Sequence, residues 1–125
     1  MIVDTSALIA VLRHEPEWEK VRERMLHAAA PRLSAGTLIE ARMLAERYGV
    51  RPDLESLLAE FRIATVPVDQ AQADAAHDGF LRFGKGRHPA ALNLGDLFAY
   101  GLARVTGEPL LFKGNDFART DLRAA

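Results

Sequence analysis

Short apolar runs alternate along this chain with stretches whose apolar residues recur every three or four positions. These are the periods of strands and of amphipathic helices. Ile2-Val3 predicts a short strand ending at Asp4, and Ser6 to Arg13 predicts a helix. Pro16 suits the first position of a second helix, with Glu17 and Glu19 favoured in its first turn and Trp18, Val21 and Met25 along one side. Leu33-Ser34-Ala35 is a weak strand, followed by a helix from about Thr37 to Tyr48 that stops at Gly49. Pro52 opens another helix with Leu54, Leu57, Leu58 and Phe61 on one face. Ala64 to Val68 is strand-like, and Pro67 favours an edge position.

Asp69 and Gln72 form a capping pair before a helix with Ala73, Ala76, Phe80 and Phe83 in a stripe. Gly84 to Pro89 is a basic loop. Asn93 starts a helix that ends near Gly107, and Leu110-Leu111-Phe112 is a buried strand turning out through Gly114-Asn115-Asp116. Strands alternating with helices imply an α/β fold, with a mostly parallel sheet covered on both faces. Ligands in such folds bind beyond the carboxyl ends of the strands.

The length, 125 residues, fits one domain spanning 1–125. With 49% hydrophobic residues the chain can bury a core. Its 16 basic and 17 acidic side chains leave a formal charge of -1, so an RNA partner would have to be held by a local patch and a bound cation. The absence of cysteine excludes disulfides, thiolate zinc sites and a cysteine nucleophile. The opening Met1-Ile2-Val3-Asp4 has neither a basic nor a long apolar leader, and the expected location is the cytoplasm.

Four acids stand out by position. Each has a local explanation: Asp4 as a helix cap, Glu40 as the third residue of a capping box begun by Thr37, Asp96 in the same relation to Asn93, and Asp116 in an Asn-Asp turn. Two features point further. The helix after Asn93 is apolar nearly all round, with Leu94, Leu97, Phe98, Gly101, Leu102 and Val105 on one face and Asp96 opposite, beside Ala99, Tyr100 and Ala103. Such a helix is buried, and a buried carboxylate needs a partner. Glu40 lies roughly 140° from the Arg42 and Glu46 direction, off the solvated stripe. In an alternating fold, acids after strands (Asp4, Asp116) and in first helical turns (Glu40, Asp96) gather at one rim. Like charges there repel, by about 4 kcal/mol for a pair 4 Å apart at an effective dielectric of 20, so a proton or a cation must sit among them. Oxygen ligands alone suit Mg²⁺ or Mn²⁺, and the chemistry implied is phosphate-ester hydrolysis.

Ile2-Val3-Asp4-Thr5-Ser6, Glu40, Leu92-Asn93-Leu94-Gly95-Asp96 and Leu111-Phe112-Lys113-Gly114-Asn115-Asp116-Phe117, taken as an ordered set over essentially the whole chain, resemble the PIN-domain ribonucleases, specifically the VapC-like toxins of toxin–antitoxin pairs. The resemblance implies a three-layer α/β/α sandwich, Mg²⁺ or Mn²⁺, endonucleolytic cleavage of RNA, a homodimer and a VapB-type antitoxin covering the active site. It makes Asp4, Glu40, Asp96 and Asp116 the catalytic, metal-binding acids. The last departs from the usual placement right at the end of the final strand, and Asp121 is the alternative fourth acid.

Thr5 or Ser6 could support Asp4 by hydrogen bonding, and Asn93 could contact substrate, although each also suits a helix cap. Arg82, Lys85, Arg87 and His88, with Lys113, could grip RNA phosphates or form a solvated charged loop. Trp18, Val21 and Met25 line either an antitoxin groove or the core. Two other functions remain open. A haloacid-dehalogenase-like phosphatase would carry a second aspartate where Ser6 stands. A non-catalytic partner- or RNA-binding module would not need the acid set.

Overall fold

A computed structural model describes residues 1–125. Four strands, β1 (Ile2–Val3), β2 (Arg32–Ser34), β3 (Ala64–Val66) and β4 (Leu110–Leu111), form one sheet in the order β3-β2-β1-β4. Every pairing is parallel. The helices are α1 (Thr5–Leu12), α2 (Trp18–His27), α3 (Ala35–Arg47), α4 (Arg51–Glu60), α5 (Gln70–Phe83) and α6 (Leu94–Thr106).

Side chains alternate across a strand, so successive residues feed opposite layers. Val3, Leu33 and Leu111 pack with Leu8 of α1, Met25 of α2, Ala41 of α3 and Leu54 of α4. Ile2 and Leu110 pack on the other face with Leu97, Tyr100 and Leu102 of α6, against which Ala76 and Phe80 of α5 lie. The result is the expected three-layer α/β/α sandwich, and β3 is the expected edge strand.

The strand order has a functional consequence. From β1 the chain moves outward to β2 and β3, then returns across the sheet to β4 on the other side of β1. The carboxyl ends of β1 and β4 therefore flank the point where the winding reverses, the crevice in which open α/β sheets bind ligands.

Helix α1 and strands β2 and β3 shift by one or two residues from the sequence expectation, and three further differences bear on the site. Helix α2 begins at Trp18, and Pro16 precedes it. Glu17 takes a left-handed conformation (φ 66°), and Trp18 stacks on His14 with ring centroids 4.2 Å apart. Helix α3 begins two residues early because Ser34 caps it, accepting from the Gly36 amide at 3.2 Å, which puts Glu40 in the second turn and removes the Thr37 capping box. Strand β4 ends at Leu111, because the Lys113 amide donates to the Ser6 side chain and leaves the ladder. On α6, Leu94 and Val105 are exposed, while Ala99, Tyr100 and Ala103, the Asp96 side, are fully covered. The face expected inside is in part the outer one.

Helix α6 presses closely on α5 at Gly101, where an added Cβ would lie 2.6 Å from the Gln72 carbonyl oxygen and 3.2 Å from the Ala76 Cβ. The backbone oxygen has no rotamer in which to retreat. Gly101→Ala should therefore lower stability by about 1–2 kcal/mol, overpacking outweighing alanine's gain in helix propensity of about 1 kcal/mol. The shift in urea midpoint measures this, and a midpoint at or above that of the parent would contradict the close approach.

Candidate metal centre

Asp4 is placed by two elements at once. Its amide donates to Leu111 O of β4 at 2.9 Å, and its side chain caps α1. Asp4 Oδ2 accepts from Ser6 N at 3.0 Å and Ser6 Oγ at 2.6 Å. Ser6 Oγ in turn accepts from Lys113 N at 3.0 Å. One serine hydroxyl thus ties the end of β1, the start of α1 and the exit from β4. The other oxygen, Asp4 Oδ1, is buried and has no protein partner, a costly state for a carboxylate oxygen.

Asp96 comes from the opposite layer. It is the third residue of α6 and completes a capping box. Asp96 Oδ2 accepts from Asn93 N and Asn93 Oδ1 accepts from Asp96 N, each at 3.0 Å. Cap and candidate ligand are therefore one residue, as with Asp4, because a cap spends only one carboxylate oxygen. Glu40 of α3 lies against the first turn of α6: a Cβ built on Gly95 would fall 1.7 Å from Glu40 Oε2. No other residue type fits at position 95 without displacing Glu40.

Asp4, Glu40 and Asp96 line one open cleft of about 440 Å³, together with Ser6, Ile9, Glu15, Leu44, Tyr48 and Lys113. Burial is the main force pushing the Asp4 carboxyl up to about 7. The Ser6 hydrogen bonds oppose it, and the charges of Asp96 and Glu40 add to it. Burial likewise pushes Asp96 up to about 6, against the Asn93 amide and with help from Asp116 and Glu40. Asp4, Glu40 and Asp96 thus lie within one another's field, and Asp116 acts on Asp96. They do not form the tight cluster expected from sequence, for no three acidic or histidine side chains stand close enough to enclose a metal ion between them. Asp116 is exposed at the start of a short 3-10 turn, Phe117–Arg119, and is felt through Asp96.

The other expected residues divide. Ser6 supports Asp4, whereas the Thr5 hydroxyl turns to Thr37 O at 3.4 Å. Asn93 is a helix cap. Asp121 is committed elsewhere: it accepts from the Tyr100 hydroxyl at 2.9 Å and pairs with Arg82 and Arg104. That pairing, with one to Asp78, also occupies Arg82. His88 is turned inward, accepting from Ala90 N at 3.0 Å and meeting the Phe83 ring edge-on. Lys85 and Arg87 are exposed without an acidic partner, and only Lys113 of the basic set reaches the cleft. Val21 and Met25 are core residues. Sequence reasoning missed Glu15 and Tyr48. Glu15 sits in an irregular turn between left-handed His14 (φ 50°) and Glu17, which no periodicity announces. Tyr48 ends α3, beneath the Arg13 guanidinium at 3.9 Å from its ring centroid.

A family model described as the PIN domain matches residues 1–122. Ribonuclease VapC of Mycolicibacterium smegmatis is 42% identical over 127 residues, covering 99% of this chain and 98% of its own length. Ribonuclease VapC30 of Mycobacterium tuberculosis is 40% identical over 125 residues, covering 98% of this chain and 95% of its own. Among solved structures, Mycobacterium tuberculosis VapC20, described as a Sarcin-Ricin loop cleaving toxin, superposes with a TM-score of 0.75 at 15% identity, covering 99% of this chain and 97% of its own. A toxin–antitoxin complex from Klebsiella pneumoniae gives 0.73 at 18% identity, covering 96% and 92%. These last two show likeness of fold.

The raised carboxyls fix how stability varies with pH in chelator. Between the unfolded carboxyl range near 4 and the folded value near 7, the native state holds more protons than the unfolded chain, so stability falls as pH rises and levels off above about 7. The metal-free protein should be more stable at pH 5 than at pH 8 by a few kcal/mol. Asp4→Asn keeps a good cap, removes most of that slope and stabilises the protein at pH 8. Equal slopes in urea titrations of the two proteins would contradict the burial of the Asp4 charge.

Proposed function

The chain belongs to the PIN-domain family, and we propose that within it this protein is a divalent-metal-dependent endoribonuclease, the toxin half of a VapBC-type pair, acting as one unit over residues 1–125. The observation that carries the reading is Asp4: a buried carboxylate with one oxygen fully hydrogen-bonded and the other orphaned, beside a cleft that Glu40 and Asp96 share. Such an arrangement is costly for a purely structural carboxylate and suits one awaiting a cation.

The residues fit a hard divalent ion. Mg²⁺ usually takes one or two protein carboxylates and keeps several waters, so a closed cage of three ligands is not required. Asp4 and Asp96 would hold the ion, with Glu40 and Asp116 as the further acids of the site and Mg²⁺ or Mn²⁺ as the ion. When bound, the ion supplies charge neutralisation at a phosphodiester and a water of lowered pKa. The protein's own contribution is positional. Ser6 fixes which Asp4 oxygen remains free, Asn93 does the same for Asp96, and Gly95 lets Glu40 lie beside them. Lys113 brings a cation to the cleft, where it can meet an RNA phosphate.

The same reading gives the protein a cognate VapB-type antitoxin, an RNA substrate, a homodimeric assembly and a place in the cytoplasm. No helix is long and apolar enough to cross a membrane.

Purified protein should cleave single-stranded RNA with Mg²⁺ or Mn²⁺ and not with EDTA. Asp4→Asn and Asp96→Asn should abolish cleavage without loss of folding. Ser6→Ala, which removes the hydroxyl bond to Asp4 Oδ2 and leaves only the amide bond, should cost roughly 10–100-fold in cleavage rate. Normal cleavage by both aspartate variants would rule out the assigned site, and turnover of small phosphomonoesters with no RNA cleavage would point to a phosphatase.

A further inference from the structure

A second cleft, of about 470 Å³, opens beside the acid cleft and shares Lys113 and Gly114 with it. Its wall carries three cations, Lys20, Arg24 and Lys113, and a single carboxylate, Glu17. Glu17 Oε1 accepts from Lys20 Nζ at 2.6 Å, and Glu17 Oε2 lies 3.9 Å from Lys113 Nζ. Lys20 first, then Lys113 and Arg24, hold the Glu17 carboxyl below its ordinary range. Glu17 is exposed and makes no capping bond to α2, yet its backbone is left-handed, an uncommon state for a residue with a Cβ. An anionic group of two oxygens is thus presented to basic side chains in a cleft lined by no other acid, Glu23 facing the neighbouring depression that Lys20 and Arg24 also line. Arg24 donates to an oxygen of Ala125, the last residue, at 2.8 Å and pairs with no acidic side chain.

A phosphodiester presents two charged oxygens of the same hydrogen-bonding kind as a carboxylate. Of the basic groups around the 82–88 loop, Arg82 and Arg104 are held by Asp121, and Arg87 lies over the Phe80 ring. Lys85 lines neither cleft.

We infer that this second cleft is the track for the RNA backbone on one side of the cleavage point. Lys113, Lys20 and Arg24 receive consecutive phosphates of a single strand, and Glu17 occupies one phosphate position until RNA displaces it. The inference rests on the ribonuclease reading and adds to it the path of the strand. Glu17 becomes a built-in competitor, lowering affinity for any anion too weak to displace it from Lys20 and Lys113.

The test is binding of a labelled single-stranded oligoribonucleotide of about a dozen nucleotides to the full chain in EDTA, across a range of salt concentrations. Lys20→Gln with Arg24→Gln should weaken binding about tenfold at low salt. It should also flatten the dependence of log affinity on log salt by about 1.4, near 0.7 for each phosphate no longer neutralised. Glu17→Gln, which keeps shape and removes charge, should tighten binding about threefold, and Lys85→Gln with Arg87→Gln should leave it within about twofold. Unchanged affinity and slope in the Lys20/Arg24 variant would overturn the track while leaving the nuclease reading intact, provided the variant still cleaves RNA. If that variant keeps RNA binding but loses a bound protein partner, the cleft belongs to protein and the inference fails. If the parent protein neither binds nor cleaves RNA, both readings fail together.

Discussion

A carboxylate held half-satisfied at the end of a parallel strand is the constraint on which the site depends. Asp4 must cap α1 to start that helix, and it must follow β1 at the reversal point of the sheet. The two requirements consume its amide and one side-chain oxygen, leaving the other oxygen buried beside the cleft. Ser6 completes the arrangement, because the hydroxyl that binds Asp4 also receives the amide leaving β4. The strands, the first helix and the cleft are thus registered to one another by a single small side chain.

The opposite layer reaches the same cleft by another route. Asp96 is aimed by its capping box with Asn93, and Glu40 is brought in by the approach of α3 to Gly95 of α6. Three acids from three elements then face one space in which burial already disfavours charge. A fold selected for stability alone would replace some of these carboxylates, since an unpaired buried charge is more costly than an apolar substitute. Their presence around an open cleft, with one buried oxygen free, is the pattern of a cation site whose charge balance is completed by a ligand.

Much of this was legible in the sequence, for reasons particular to each residue. The strand at Ile2-Val3 and the parallel sheet followed from alternating periods, and the capping relation of Asp96 to Asn93 from spacing alone. Thr37 misled, because Ser34 is an equally good cap and burial of Thr37 inside the helix leaves no one-dimensional trace. The distances among the acids were also beyond reach. Position at a common rim is a property of topology, whereas separation across a cleft depends on how closely two helices pack. Glu17 looked like a favourable first-turn acid. Its left-handed backbone and its pairing with Lys20 and Lys113 follow from the turn after α1, which has no sequence pattern. The cationic strength of the 82–88 stretch is reduced because Asp121 neutralises Arg82 from 39 residues away, while Lys85 and Arg87 stay unpaired but do not line the acid cleft.

At the centre stands the assignment of a divalent ion to the free Asp4 oxygen and the Asp96 carboxylate. Anomalous diffraction from crystals equilibrated with Mn²⁺ near neutral pH tests it most directly. The expected result is a manganese peak in the cleft, about 2.1 Å from an oxygen of each of Asp4 and Asp96, the distance of a hard octahedral ion. A cleft without manganese density, in which Asp4 Oδ1 turns to a protein donor, would contradict it.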